Sequence, residues 1–210
     1  MRKLWIIVLT LLMAFGALGC GSESGKAEEK AAPAANTQPS STSQAKPVEA
    51  KGKILVAYFS ATGHTKTLVE TAAKALGADL YEIRPKQPYT SQDLNYNDET
   101  TRATVEQKDD KARPALADKN AKIADYETIV LAYPIWWGQA PRIMDTFVES
   151  YDFTGKKLTA ICTSGGSDIG TSADYLQKLT KGKAEWKAGK LFSPQAKAEE
   201  IKSWFNGLGL

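Results

Sequence analysis

The unbroken apolar run Ile54-Leu55-Val56-Ala57-Tyr58-Phe59 passes directly into Ser60-Ala61-Thr62-Gly63-His64-Thr65, and a helical pattern begins at once. A run with no polar alternation reads as a strand buried on both faces, which requires a sheet covered on both sides. Leu68, Val69, Ala72, Ala73 and Leu76 then fall on one helical face, and Gly77 stops the helix. Strand, turn and helix in this order present free backbone N–H groups beside the hydroxyls of Ser60, Thr62 and Thr65, an arrangement suited to a phosphate. His64 stands where the Walker pattern needs a lysine, and the spaced glycines of the dinucleotide fingerprint are missing. What remains is a site for one terminal phosphate without a metal, with an ordinary polar strand-to-helix turn as the alternative.

Strand and helix signals alternate through the rest of the chain. Asp79 to Arg84 reads as a second strand, followed by a long polar segment from Pro85 to Asp125 with one weak helical piece around Pro114 to Ile123. Glu127 to Tyr133 is a third strand, and Pro141 opens a helix carrying Ile143, Met144, Phe147 and Val148. Leu158 to Thr163 is a fourth strand, a helix spans about Ser172 to Leu179, and a short fifth strand lies near Glu185 to Leu191. Ser193-Pro194 is expected to cap a last helix bearing Ile201, Trp204, Phe205 and Leu208. Such alternation predicts an α/β three-layer sandwich around a five-stranded parallel sheet with right-handed crossovers. In the strand order 2-1-3-4-5 the loops after strands one, three and four are neighbours at the carboxyl edge, where such sheets bind ligands.

The ends of the chain carry a different message. Arg2 and Lys3 precede an apolar stretch from Leu4 to Leu18 that ends in Leu18-Gly19-Cys20. The stretch is short for a membrane span and has the layout of an export signal, residues 1–19. Its approach to the cysteine resembles a bacterial lipobox, which implies acylation of Cys20 and a lipid anchor on the extracytoplasmic side of a bacterial membrane. Two or three acyl chains, at about 0.8 kcal/mol per buried CH₂, anchor stably where one is marginal. Residues 20–50, rich in Ala, Ser, Pro, Gln, Lys and Glu, read as a disordered linker, and residues 51–210 as a single domain. From Lys51 onward 22 basic side chains face 20 acidic ones, and no basic stripe is present, so nucleic acid is not an expected partner. With Cys20 committed to lipid, Cys162 is a lone thiol, expected to pack in the core.

Two further loops converge with the first. Pro134-Ile135-Trp136-Trp137-Gly138 offers two indoles to a flat aromatic ligand, although at least one of them is expected to plug the core. Thr163-Ser164-Gly165-Gly166-Ser167 lets backbone amides approach the polar edge of a planar ring. Together with Tyr58-Phe59 before the first loop, Pro88-Tyr89, Arg102 and Arg113-Pro114 in the polar segment, and the closing Trp204, these motifs resemble the flavodoxin-like proteins. The closer likeness is to small flavodoxins with a long insertion between the second and third strands. The resemblance implies noncovalent FMN and electron transfer. On that footing Ser60, Ala61, Thr62, Gly63, His64 and Thr65 would hold the phosphate. Pro134, Ile135, Trp136, Trp137 and Gly138 would line the ribityl chain and isoalloxazine, and Thr163, Ser164, Gly165 and Gly166 would meet the pyrimidine edge. Within the domain nothing is expected to act as a catalytic residue or a metal ligand.

The chain departs from the resemblance in being nearly neutral, where electron-carrying flavodoxins are strongly acidic, and in carrying an export signal. The expected role is therefore electron transfer at the extracytoplasmic face of the membrane, to a partner protein or a small-molecule acceptor. The alternative is an FMN-dependent NAD(P)H or quinone oxidoreductase, for which the insertion could form a lid; a ligand-binding lipoprotein without redox turnover is a third class. A hydrolase built on Ser60 lacks the Gly-x-Ser-x-Gly elbow. The lipobox reading predicts that Cys20→Ala abolishes acylation and leaves the precursor uncleaved. Incorporation of a palmitate analogue checks it, and persistent labelling of the variant would refute the reading.

Overall fold

A computed structural model describes residues 52–210; the expected export signal, the expected acylation site at Cys20 and the expected linker lie outside the described residues. Strand β1 (Ile54–Tyr58) runs between β2 (Asp79–Glu82) and β3 (Thr128–Pro134), and β4 (Lys157–Thr163) pairs with the far side of β3. All these pairings are parallel, with Val56 level with Leu80 on one side and with Val130 on the other. The order is the expected 2-1-3-4-5, but the fifth position is split. Here β5 (Glu185–Trp186) pairs with Lys157–Leu158, and β6 (Lys190–Leu191) with Ile161–Cys162. Between the two pieces the Thr159 hydroxyl donates to the Ala188 carbonyl at 2.8 Å, so a side chain takes a bond that the ladder would otherwise make.

Successive side chains of a strand point to opposite faces, and β1 divides accordingly. Ile54, Val56 and Tyr58 join Val130, Ala132 and Ile161 under α1 (His64–Leu76) and the last helix (Ala198–Gly207). Leu55, Ala57 and Phe59 join Ile129, Leu131 and Tyr133 on the other face. The cover there includes Ile143, Met144 and Phe147 of the Arg142–Ser150 helix and Leu176 of the Ser172–Leu179 helix. Cys162 is fully buried, as expected, and burial pushes its thiol up to about 12. The last helix begins at Ala198, later than the Ser193-Pro194 cap expected from sequence. The Ser193 hydroxyl instead accepts the Gln195 amide at 3.2 Å and closes a separate turn.

The insertion also departs from expectation. Its helix is Arg102–Lys108, designated α2, and of the piece expected from Pro114 to Ile123 the residues up to Lys122 are not helical. Pro85 and Leu116 form an antiparallel bridge, flanked by Lys86 N–H to Ala115 carbonyl at 2.7 Å and Ala117 N–H to Arg84 carbonyl at 2.8 Å. These bonds hold the alanine-rich stretch extended, and only Ile123–Asp125 closes a 3₁₀ turn. In chain order the remaining helices are α3 (Arg142–Ser150), α4 (Ser172–Leu179) and α5 (Ala198–Gly207).

The insertion is clamped to the domain at several points, which argues against a freely opening lid. Gln107 of α2 donates through its side chain to the Ala140 carbonyl at 3.1 Å, and its own carbonyl accepts Arg142 Nη2 at 2.9 Å. Arg142, almost wholly buried, also pairs with Asp110 and Asp145 and donates to the Tyr175 hydroxyl at 3.0 Å. Arg113 grips both oxygens of Glu149 at 2.8 Å. Asp145 is completely buried; burial raises its pKa to about 6, against the opposing pull of Arg142 and Arg113. Because the folded state holds this proton more tightly than the unfolded chain, stability drawn from the group is present in acid and is lost as pH rises from about 4 to about 6. Wild type should therefore lose about 2 kcal/mol relative to Asp145→Asn between pH 4 and pH 7. Urea unfolding across that range checks it, and a pH-independent difference would show that the carboxyl is not so perturbed.

Candidate functional site

Three loops at the carboxyl edge of the sheet, after β1, β3 and β4, line one cavity of about 740 Å³. From the first loop come Ala61, Thr62 and His64; from the second Pro134, Ile135, Trp136 and Trp137; from the third Thr163, Ser164, Gly165, Gly166 and Ser167. Of the residues expected to bind a cofactor, Ser60, Gly63, Thr65 and Gly138 do not line it and act from behind.

Ser60 accepts the amides of Gly63 and Lys66, each at 3.2 Å, and so fixes the curvature of the first loop. Gly63 adopts φ 90°, which a side chain would resist, and stands as the N-cap of α1. The helix ladder begins with Thr67 N–H to Gly63 carbonyl at 2.9 Å. The amides of His64 and Thr65 precede that bond and have no intrahelical partner. They lie at the positive end of the helix dipole, as a phosphate requires. The Thr65 hydroxyl is buried and lies 2.8 Å from that of Thr163, tying the first loop to the third. Such a pair uses one hydroxyl hydrogen and leaves the other free to donate. Thr62 Oγ1 and His64 Nδ1 are 3.3 Å apart, which orients the ring at the cavity wall.

The second loop is a two-residue hairpin turn. Trp136 and Gln139 exchange both backbone hydrogen bonds, at 2.9 and 3.0 Å, while Trp137 and Gly138 take φ values of 46° and 76°. Two positive φ values in succession are the mark of the mirror-image turn that suits tight hairpins. Trp137 is the one non-glycine residue with positive φ among the described residues, a costly conformation for a bulky side chain. The turn separates the two indoles. Trp136 is 4 % exposed and packs edge-on against Phe59 and Tyr89, at 5.6 and 5.2 Å between centroids, as the expected core plug. Trp137 is 45 % exposed at the cavity.

Sequence reasoning missed Tyr96, Pro194 and Gln195 as lining residues, and left Ser167 outside the expected binding set. Tyr96 comes from the insertion and meets Trp137 edge-on, with 5.0 Å between ring centroids. Its neighbourhood is anchored by Tyr89, whose ring lies 4.1 Å under the Arg102 guanidinium and whose hydroxyl donates to Glu106. Burial and that carboxylate hold the Tyr89 phenol far above its ordinary pKa. Pro88-Tyr89 and Arg102, read from sequence only as part of the resemblance, lie beside this part of the wall, with Tyr89 and Tyr96 both packed on Trp136.

An added Cβ at Gly138 meets nothing within 4 Å, so substitution there tests backbone strain alone. Gly138→Ala should cost about 1–2 kcal/mol. Gly165→Ala, equally uncrowded and without positive φ, should be neutral or stabilising by up to about 1 kcal/mol. Equal effects in denaturant unfolding would remove the strained-turn assignment.

Comparison with known proteins agrees with this architecture. The flavodoxin family model matches residues 53–208. A structure from Bacteroides eggerthii, described as that of a candidate flavoprotein, is 44% identical with a TM-score of 0.72, over 76% of this chain and 99% of that one. A similarly described protein from Bacteroides uniformis is 44% identical with a TM-score of 0.69, over 74% and 98%. A flavoprotein from Lactobacillus acidophilus, solved in complex with FMN, shares the fold at 17% identity and a TM-score of 0.56, over 74% and 99%. No curated protein matches the chain. By sequence and by fold, the chain belongs to the flavodoxin family.

Proposed function

We propose that this protein binds FMN and transfers electrons at the extracytoplasmic face of a bacterial membrane, held there through lipid on Cys20. The observation that carries the reading is the single cavity that joins the amino end of α1 to an exposed indole on the neighbouring loop. It pairs a site for one phosphate with a site for one flat ring. The residues fit the cofactor. No Asp or Glu lines the cavity to repel a phosphate, the His64 and Thr65 amides are free of the helix ladder, and Thr62 offers a hydroxyl beside them. The FMN seen in the Lactobacillus acidophilus neighbour supports the same assignment. FMN bound here would supply reversible one- and two-electron transfer. The chain's part is to hold the phosphate at loop one, to place the ring against Trp137, and to meet its polar edge with loop three.

An FMN-dependent oxidoreductase, acting on a nicotinamide or a quinone, is favoured by one observation: the insertion contributes Tyr96 to the cavity wall. A carrier needs only an exposed ring edge, whereas an enzyme needs a wall that selects a second reactant.

The phosphate reading sets the cofactor preference. FMN should bind at least about tenfold more tightly than riboflavin, since one hydrogen bond to a charged group contributes about 1.5–3 kcal/mol. Thr62→Ala should narrow the ratio while leaving the circular dichroism spectrum unchanged. Flavin fluorescence titration measures both, and equal affinity of the wild type for the two flavins would refute the phosphate site.

A further inference from the structure

The face that α1 turns to the sheet is largely apolar, with Leu68, Val69 and Ala72 in one buried cluster with Val56, Val130 and Ile161. Thr65 stands on that face one turn before Leu68 and Val69, and it is 1 % exposed. Thr163 ends β4 two residues after Ile161, so its side chain points to the same layer beneath α1, and it is 3 % exposed. Two hydroxyls therefore close an interface that is apolar behind them. Valine has the same branching as threonine and would fill such positions, whereas a buried hydroxyl costs stability unless it is hydrogen-bonded. Packing alone gives no reason for a polar pair here.

The two hydroxyl oxygens lie 2.8 Å apart, and each is the other's side-chain partner. Their mutual bond uses one of the two hydroxyl hydrogens and leaves one over. Thr163 lines the cavity and Thr65 does not, which makes the spare hydrogen that of Thr163. Thr65 then donates to Thr163, and a hydroxyl that accepts a hydrogen bond is the stronger donor for it. The backbone beneath Thr163 is fixed, since its carbonyl accepts the Ile135 amide at 2.8 Å. Beyond it Ser164 folds the third loop on itself by accepting the Gly166 and Ser167 amides at 3.1 and 2.7 Å. Thr163 is thus held to the first turn of α1, apart from the exposed glycines that follow. No Lys or Arg lines the cavity, so an anion there depends on amide and hydroxyl hydrogens and on His64.

We infer that Thr163 belongs to the phosphate site: its hydroxyl, oriented by that of Thr65, donates to the terminal phosphate, so that loops one and three build the site jointly. The inference rests on the FMN reading and adds to it a residue that sets the preference for a phosphorylated flavin. It gives Thr163 a role distinct from that of Ser164, Gly165 and Gly166 at the edge of the ring.

The test titrates the flavin-free full chain with FMN and with riboflavin, following flavin fluorescence. Thr65→Val and Thr163→Val both break the tie between the loops, but only Thr163→Val removes the proposed donor. Thr163→Val should bind FMN about tenfold more weakly or less tightly still, from the loss of one hydrogen bond to a charged group, with riboflavin affinity unchanged. Thr65→Val should narrow the ratio of the two affinities by less, and Thr163→Ser should restore it. Where the valine variant does not fold by circular dichroism, Thr163→Ala, which also lacks the hydroxyl, carries the same expectation. A wild-type ratio in the folded variant, equal losses for both flavins, or a larger loss of ratio in Thr65→Val than in Thr163→Val would overturn the inference and leave FMN binding standing. Equal affinity of the wild type for the two flavins would instead remove the phosphate reading itself, and this inference with it.

Discussion

Everything at the site depends on β1 being hydrogen-bonded on both edges, to β2 and to β3, while both of its faces are buried. A strand so enclosed can change direction only at its ends. At the carboxyl end the chain leaves a dry sheet and enters a helix within a few residues, which exposes backbone amides that the ladder no longer uses. Ser60 satisfies two of the loop amides, at Gly63 and Lys66. The amides left over at His64 and Thr65 point to where a ligand can meet them. The proposed anion site is thus a by-product of ending a buried strand under a helix, with hydroxyls beside it.

Much of this was legible in the sequence because burial on two faces writes an unbroken apolar run. The runs at Ile54–Phe59, around Ile129–Tyr133 and around Leu158–Cys162 correspond to β1, β3 and β4, and the loops that follow them come together. The insertion was less legible for an equally physical reason. Its conformation is set by partners distant in sequence: Arg84 and Lys86 draw the alanine-rich stretch into a bridge, and Ala140 and Arg142 capture Gln107. Local propensity near Pro114 therefore misled. Tyr96 left no periodic signal because it sits in an irregular turn between Leu94 and Thr101. The difference between Trp136 and Trp137 was likewise invisible in their adjacency, since it arises from two successive positive φ values.

The second loop stores strain that its surroundings oppose. Trp137 in the left-handed region is held by the double bond pattern between Trp136 and Gln139 on one side and by Gln107 on the Ala140 carbonyl just beyond. The Gln139 side chain adds a contact to Thr171 at 3.3 Å, ahead of α4. With its backbone held in this way and its ring against Tyr96 at 5.0 Å, the indole has less freedom to lose when a flat ring settles against it, which lowers the entropic cost of binding.

The bridge between Pro85 and Leu116, with its flanking bonds from Lys86 and Ala117, also bears on how the chain is assembled. The two ends of the insertion leave and rejoin the domain side by side. A chain running directly from Arg84 to Ala117 would need little more than a tight turn to close the same sheet. The insertion is therefore an appended module whose boundaries are already stitched together. Closing a loop of this length adds entropy that grows only slowly with length. The length of the segment between them is therefore only weakly constrained by closure, while its bonds through Gln107, Arg113 and Arg142 fix where it lies against α3.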